Sequence, residues 1–288
     1  MTWLAAAVSL KDMTSLATLP PAVRVKTLRV RVAHVSESVR AIPQETAVAF
    51  VYDAGSEAVM MATPADLEDF ALGFSLTEGI VADAGEIRQV EIAPRENGVE
   101  LRIWLGPERG RSLATRRRAR AGPTGCGLCG VESLNDALRP LPRVEGNLKI
   151  AAADLVAAMQ ALAPRQTLNL ETRAVHAAAF FVPGEGIVAV REDVGRHSAL
   201  DKLAGALARL NRTAADGAIL MTSRVSVELV QKSAVMGAPI LAAVSAPTAL
   251  ALETAEAAGM TIVGVVRDDG LEVFTHPWRV GTDSADDS

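Results

Sequence analysis

Apolar and polar positions follow one pattern in the first half of the chain and another in the second half. Val48–Tyr52 predicts a strand, and Ile87–Ala93 and Val99–Leu105 alternate as two further strands with a turn at Asn97-Gly98 between them. Pro64–Glu78 predicts a helix, because its apolar residues recur at i, i+3, i+4 and i+7 and proline suits a first helical position. These elements predict a small α+β unit.

The second half contains near-continuous apolar runs, which are typical of strands buried on both faces. Four such runs are Ile187–Val190, Ile219–Thr222, Ile240–Val244 and Ile262–Val266. Helical patterns lie between them at Leu200–Leu210, Val227–Met236 and Ala249–Ala258, the last closed by Gly259. Alternation of strands and helices favours an α/β fold with a mainly parallel sheet. Ligands bind such sheets beyond the carboxyl ends of the strands.

The same patterns divide the chain into four segments. Residues 1–40 predict a locally basic leader that is partly disordered. Residues 41–150 predict a smaller N-terminal α+β subdomain that carries the paired cysteines, and residues 151–280 predict the α/β core. Residues 281–288 predict a frayed acidic tail.

Composition narrows the possible functions. Hydrophobic residues make up 49% of the 288 positions, so there is enough apolar surface to form a core and disorder is excluded as the main state. A net charge of −5 and 3% aromatic residues argue against nucleic-acid binding. The first apolar run ends at Lys11 and is too short to span a membrane. Two cysteines cannot build a secreted disulfide framework, so we expect a cytoplasmic protein.

Both cysteines lie in one motif, Gly125-Cys126-Gly127-Leu128-Cys129-Gly130. The C-x-x-C spacing favours a reactive thiolate, and glycines let a second reactant come close. A sulfur-relay cysteine, a structural zinc site and a thioredoxin-like dithiol are all open interpretations. Zinc lacks a second ligand pair, and a thioredoxin-like dithiol usually opens a helix early in a small domain. Zinc-dependent deamination is disfavoured, because the H-x-E signature is missing.

Two charged clusters accompany this motif. Six arginines precede the cysteines at Arg109, Arg111, Arg116, Arg117, Arg118 and Arg120. They form either a solvated loop or a docking patch for phosphates or an acidic partner. A second cluster, Arg191 to His197, lies where a strand ends and a helix begins, and it is either a salt-bridged cap or a phosphate site. Ser223-Arg224 and Ser245–Thr248 follow the next two strands, so the three strand ends predict one ligand pocket.

Five ordered motifs resemble those of the formate dehydrogenase accessory sulfurtransferase family, FdhD. They are MATPADLEDFALGFSLTEGIV, GCGLCG, REDVGRHSALDK, SRVSVELVQK and PILAAVSAPT. The resemblance covers residues 45 to 280. It implies a fold similar to that of cytidine deaminases, namely a three-layer α/β/α sandwich with the smaller N-terminal α+β subdomain beside it.

The resemblance implies a sulfur carrier. Sulfur would pass from a cysteine desulfurase to a persulfide on Cys126, with Cys129 assisting. It would then pass to the molybdenum bis(guanine dinucleotide) cofactor that formate dehydrogenase needs. A homodimer is expected, and GDP is the expected mimic of the cofactor. No resident metal, nucleic acid or membrane partner is expected.

The resemblance and the strand-end pattern together assign cofactor-binding residues within the core. One set follows the strands at Arg191, Asp193, Arg196, His197, Ser223 and Arg224. Asp193 is expected to accept hydrogen bonds from guanine N–H groups, and the arginines to hold phosphates. A second set is the stretch Val265, Val266, Arg267, Asp268, Asp269 and Gly270. Two other functions stay open: a molybdenum-cofactor chaperone without sulfur chemistry, and a general thiol–disulfide oxidoreductase.

Overall fold

This computed structural model describes residues 19–32, 34–53, 55–107, 110 and 140–282 of the chain. The cysteine motif, the six arginines before it and most of the predicted acidic tail lie outside the described residues. In the described part, no helix is both long and apolar enough to cross a membrane.

An antiparallel hairpin precedes the main body of the structure. Its strands are β1 (Ala22–Arg31) and β2 (His34–Pro43). Near the base of the hairpin, Arg40 donates a hydrogen bond to the carbonyl of Thr172 at 3.3 Å. The segment predicted as a leader therefore contains a hairpin, and its expected end at residue 40 falls inside β2.

A four-stranded sheet comes next, in the order β4-β3-β6-β5. Its strands are β3 (Thr46–Tyr52), β4 (Gly55–Ala62), β5 (Ile87–Arg95) and β6 (Gly98–Leu105), and helix α1 (Leu67–Thr77) covers one face. Alternate residues of β3 point toward that helix. Phe50 stacks on Phe74 of α1 with 3.9 Å between ring centroids. The predicted strands are confirmed, and so is a helix within Pro64–Glu78. The expected start of that helix at Pro64 is wrong, because Asp66 is the residue that precedes its first turn.

A six-stranded sheet forms the second unit, in the order β13-β12-β11-β10-β8-β9. Its strands are β8 (His176–Val182), β9 (Gly186–Asp193), β10 (Ala218–Met221), β11 (Ile240–Ala243), β12 (Thr261–Arg267) and β13 (Gly270–Val273). A separate short parallel pair joins β7 (Ile150–Ala151) to β14 (Val280–Gly281).

The predicted mainly parallel sheet is wrong, because only β10–β11 and β11–β12 pair in parallel. The other three neighbouring pairs in this sheet are antiparallel. The cause lies partly in the β8–β9 connection, where Gly184 and Gly186 adopt positive φ in a tight turn. A tight turn of this kind joins only antiparallel strands.

Helices cover both faces of the six-stranded sheet. They are α2 (Ala152–Leu162), α3 (Thr167–Thr172), α4 (Arg196–Arg209), α5 (Val227–Val235) and α6 (Ala249–Ala258). Ile219 and Met221 of β10 pack with α4, α5 and α6, while Leu220 packs with α2 on the opposite face. The mixed α/β class is confirmed. The implied likeness to cytidine deaminases stays a prediction.

Helices α1 and α4 join the two sheets through a close crossing. A Cβ atom on Gly73 of α1 would lie 1.7 Å from the backbone oxygen of Asp201. A Cβ atom on Gly205 of α4 would lie 1.9 Å from the backbone oxygen of Asp69. Both positions therefore require glycine, because any side chain would overlap the facing backbone.

Candidate functional site

Four strand ends and three helix starts meet at one edge of the six-stranded sheet. Strand β9 is antiparallel to β8, which is antiparallel to β10, so β9 runs in the same direction as β10, β11 and β12. Helices α4, α5 and α6 begin directly after β9, β10 and β11. Helix N-termini carry unpaired N–H groups that favour anions. The three polar strand ends therefore lie at one edge of the sheet, and the prediction that they form one ligand pocket stays a prediction.

A cavity of about 290 Å³ lies among these helix starts. It is lined by Arg196, Arg224, Ser226, Val227, Glu228, Thr248 and Leu250. Two of the predicted cofactor-binding residues, Arg196 and Arg224, thus share one cavity. The Nε atom of Arg196 is buried and has no hydrogen-bond partner among the described residues. A buried donor of this kind is satisfied when an acceptor such as a phosphate oxygen enters the cavity.

His197 sits beside this cavity. Its Nε2 atom lies 3.3 Å from Ser226 Oγ and 3.7 Å from Glu228 Oε2. Burial lowers the pKa of His197 to about 4, and the positive charge of Arg196 adds to this effect. The ring is therefore neutral at pH 7. Among the described residues that line the cavity, the positively charged side chains are Arg196 and Arg224.

Arg191 points away from the cavity, toward α1. Its Nε donates to Asp69 Oδ2 at 2.7 Å, and Arg209 donates to Asp69 Oδ1 at 2.9 Å. The side chain of Asp69 is 2% exposed. Arg191 therefore joins the two sheets through a buried carboxylate, which is the salt-bridged alternative that the sequence left open.

Asp193 is also held inside the protein. Its carboxylate is fully buried and lies 2.7 Å from Lys202 Nζ. It accepts hydrogen bonds from the backbone N–H groups of Thr63 at 3.0 Å and Gly195 at 2.8 Å. The Gly195 contact fixes the turn that starts α4. The predicted contact with guanine N–H groups would require this network to open.

Ser223 shapes the loop between β10 and α5. It is 4% exposed, and its hydroxyl donates to the carbonyl of Arg224 at 3.0 Å. The next residues carry a parallel bridge between Val225 and Pro247, and Thr248 donates its N–H to the Val225 carbonyl at 3.0 Å. Ser223 is thus buried and does not line the cavity, while Arg224 is exposed and lines it.

The second predicted set, Val265–Gly270, lies at the same sheet edge but does not line the cavity. Val265 has a φ of +51° within a bulge of β12. This is a genuine outlier for a β-branched residue, and such strain concentrates at functional sites. Arg267 donates to the carbonyls of Val244 and Val266. The set therefore contacts the 244–248 loop, whose last residue, Thr248, lines the cavity.

Asp268 of that set lies against α2, which covers the opposite face of the sheet. Asp268 accepts a hydrogen bond from Gln160 of α2 at 3.1 Å. Asp268 and Asp269 are exposed in the turn before β13.

Sequence reasoning missed several residues of the site. Ser226 and Glu228 line the cavity at the start of α5, and Leu250 lines it in the first turn of α6. A signal was present for Ser226, because serine is a preferred residue at the position that precedes a helix.

A second cavity of about 400 Å³ adjoins the first, and both are lined by Leu250. Its walls come from α5, α6 and the segment at Pro140 and Leu141. Pro140 is the first described residue after the segment that carries Cys126 and Cys129. The chain that leaves the cysteine segment therefore borders a cavity that adjoins the arginine-lined one.

Comparison with known proteins decides the family. The model of the FdhD/NarQ family matches residues 43–281, which is most of the chain. The chain belongs to the FdhD/NarQ family. The resemblance drawn from the five sequence motifs is thereby confirmed.

Named relatives of this family member are similar over most of its length. A protein of Agrobacterium fabrum named sulfur carrier protein FdhD is 52% identical over 84% of this chain and 89% of its own. A protein of the same name from Brucella abortus is 50% identical over 87% of this chain and 93% of its own. A crystal structure from Desulfotalea psychrophila, described as a formate dehydrogenase accessory protein, matches with a TM-score of 0.70. At 23% identity over 91% of this chain and 100% of that chain, it supports the fold alone.

Proposed function

We propose that this protein is a sulfur carrier that acts in the maturation of a formate dehydrogenase. The observation that carries the proposal is the high identity, 50–52%, to two proteins named sulfur carrier protein FdhD over more than four-fifths of the chain. The only two cysteines of the chain, Cys126 and Cys129, stand together in a glycine-flanked C-x-x-C motif. A sulfur carrier needs a reactive thiolate, and a C-x-x-C motif favours one.

The sulfur chemistry runs by thiol exchange. The Cys126 thiolate attacks the terminal sulfur of a persulfide on a cysteine desulfurase. A new S–S bond forms at Cys126, the S–S bond of the donor breaks, and the donor cysteine leaves as a thiolate. Attack of Cys129 on Cys126 Sγ then releases the carried sulfur as hydrosulfide and leaves a Cys126–Cys129 disulfide. Reduction of that disulfide by a cellular thiol resets the carrier.

The acceptor we propose is the molybdenum bis(guanine dinucleotide) cofactor, bound as a substrate. Support comes from the arginine-lined cavity at the sheet edge, where Arg196 has a buried donor without a described partner and Arg224 is exposed. Phosphate oxygens match both the guanidinium groups and the nearby helix N-termini. The arginine cluster at Arg109–Arg120 adds further positive charge in the sequence before the cysteines. GDP serves as a small mimic of one arm of the cofactor.

Intact mass measurement tests the carrier role. The purified protein is incubated with a cysteine desulfurase and cysteine, and its mass is read under non-reducing conditions. We expect a gain in whole sulfur atoms for the wild type and for Cys129→Ala. We expect no gain for Cys126→Ala.

The same samples separate the carrier from a chaperone that only holds the cofactor. GDP binding is measured by calorimetry for each variant, since the described residues that line the cavity include no cysteine. GDP binding without any mass gain in the wild type would contradict the carrier role and favour the chaperone. A gain that persists in Cys126→Ala would assign the persulfide to the other cysteine. Loss of formate dehydrogenase maturation in cells carrying Cys126→Ala would extend the result to the target enzyme.

A further inference from the structure

Glu228 brings a carboxylate to the arginine-lined cavity. It lies in the first turn of α5, two residues after Ser226, and its side chain is 53% exposed. Among the described residues that line the cavity, Glu228 is the one acidic side chain, and Arg196 and Arg224 are the basic ones. An ionised carboxylate only accepts hydrogen bonds, whereas a guanidinium only donates them. The cavity therefore fits a ligand that carries both oxyanions and N–H donors.

The carboxylate of Glu228 is ionised and forms no ion pair with an arginine or a lysine of the described residues. Burial raises its pKa, but hydrogen bonds from Ser226 and from its own backbone N–H outweigh that effect, so the pKa lies below the usual value. His197 Nε2 lies 3.7 Å from Oε2, and this ring is neutral at pH 7 because its pKa is about 4. A carboxylate has about four acceptor sites, so Glu228 can accept further hydrogen bonds from a ligand.

Asp193, from which a contact with guanine was expected, lacks this freedom. Its carboxylate is fully buried beside Lys202 Nζ and accepts hydrogen bonds from the backbone N–H groups of Thr63 and Gly195. A base that bound Asp193 would have to displace these donors, and a buried cation would lose its partner. Glu228 presents the same chemical group at the same sheet edge, and it is accessible from the cavity.

We propose that Glu228 recognises the guanine base of the bound nucleotide and thereby determines the base specificity of the cavity. The inference rests on the proposed acceptor, whose two arms end in guanine nucleotides. The Watson–Crick edge of guanine carries two adjacent donors, N1–H and the 2-amino group, which match the two oxygens of one carboxylate. Adenine instead presents the lone pair of N1 beside its amino group. That lone pair would face the negative charge of Glu228, so the same carboxylate rejects adenine nucleotides.

A carboxylate in a phosphate-binding cavity needs a reason, because it repels the oxyanions that the arginines attract. The buried Arg196 Nε, which has no partner among the described residues, indicates that an acceptor group enters the cavity. A nucleotide satisfies both requirements, since its phosphates and the donor edge of its base lie at opposite ends of the molecule. The arginines then bind the phosphates, and Glu228 binds the base.

Calorimetry of the full chain with GDP, IDP and ADP tests the proposal. IDP lacks the 2-amino group, so we expect the wild type to bind it about tenfold more weakly than GDP. ADP should bind on the order of a hundredfold more weakly than GDP. In Glu228→Gln, whose amide has one acceptor and one donor group, GDP and IDP should bind with equal affinity, and the preference for GDP over ADP should fall at least tenfold. Affinity ratios do not depend on the fraction of folded protein, and circular dichroism checks the fold.

Two variants separate recognition of the base from binding of the phosphates. Arg196→Met should weaken GDP and IDP by the same factor and leave their ratio unchanged. Glu253→Gln is the matched control, because Glu253 lines the adjoining cavity, and it should bind all three nucleotides as the wild type does. GDP binding with an unchanged GDP-to-IDP ratio in Glu228→Gln, or a ratio that changes in Glu253→Gln instead, would overturn the role of Glu228 and leave the proposed acceptor standing. A wild type that binds no GDP would overturn both.

Discussion

The charged groups at the α1–α4 contact and those at the arginine-lined cavity are used in opposite ways. At the contact, Asp69, Asp193 and Asp201 are at most 2% exposed, and each binds a cationic side chain. At the cavity, Arg196 and Arg224 form no ion pair within the described residues. Burial of a charge is tolerated when it is paired, whereas an unpaired cation beside a cavity is available to a ligand. Whether a charged side chain stabilises the fold or is available to a ligand therefore depends more on its burial and its ion-pair partner than on its residue type.

The largest loss of stability should come from a side chain that fills the space between α1 and α4. Gly73→Ala would place a Cβ atom 1.7 Å from the Asp201 carbonyl oxygen, so α1 and α4 could not approach. We expect a loss of about 4 kcal/mol or more in the free energy of unfolding, measured by urea denaturation. Gly281→Ala is the control, because a Cβ atom added there would have no neighbouring atom within 4 Å. Equal stability of the two variants would show that the helices do not cross this closely.

Removal of one buried charge should have the next largest effect. Lys202→Met leaves the Asp193 carboxylate buried without its cation, and we expect a loss of about 3–5 kcal/mol. Urea denaturation at pH 7 measures it. Arg212→Met breaks the exposed pair with Glu185 and should leave the unfolding midpoint unchanged. Similar urea midpoints for the two variants would contradict the expectation that the buried ion pair contributes more to stability than the exposed one.

A smaller effect should follow from the pH dependence of His197. The unfolded chain binds a proton at this residue below about pH 6.5, whereas the folded pKa is about 4. Stability at this site is therefore present at pH 7 and is lost as the pH falls toward 4. Between pH 7 and pH 5, we expect the wild type to lose about 1–2 kcal/mol more than His197→Gln. Parallel pH profiles for the two proteins would contradict a neutral, buried ring.

The smallest effect should appear in ligand binding at the cavity. Arg196→Met and Arg224→Met should each weaken GDP binding about tenfold, because each removes one charge-assisted contact to phosphate. Calorimetry measures the affinity, and Arg212→Met is the control for a cation outside the cavity. Unchanged affinity in both cavity variants would place the nucleotide elsewhere.

The local sequence pattern predicted the helices and strands better than it predicted which charged side chains form internal ion pairs and which line the cavity. The apolar runs predicted β9 to β12 and the helices between them, because buried strands and amphipathic helices each leave a short-range signal. Strand β8 was missed, since its Ala-Ala-Ala stretch fits a helix as well as a strand. Without β8, the strands could only be interpreted as parallel.

The segment Arg191–His197 shows why the site was harder to predict. Arg191 binds Asp69, which is 122 residues earlier in the chain, and Asp193 binds Thr63 and Lys202. Arg196 and His197 instead face the cavity region. These residues are adjacent in the sequence, so they were assigned to one site. Their actual partners are set by tertiary contacts, which separate the buried Arg191 and Asp193 from Arg196 and His197. Cys126 and Cys129 lie outside the described residues, so their role rests on sequence.

The glycine crossing has a consequence for synthesis on the ribosome. Gly73 and Gly205 are separated by 132 positions, so α1 leaves the ribosome long before its partner helix exists. At 5–20 residues per second, the interval is about 7–26 s. During this time the face of α1 that carries Asp69 and Gly73 has no docking surface, although all four strands of the first sheet have already been made. We expect nascent chains of this protein to depend on chaperone protection until α4 has emerged.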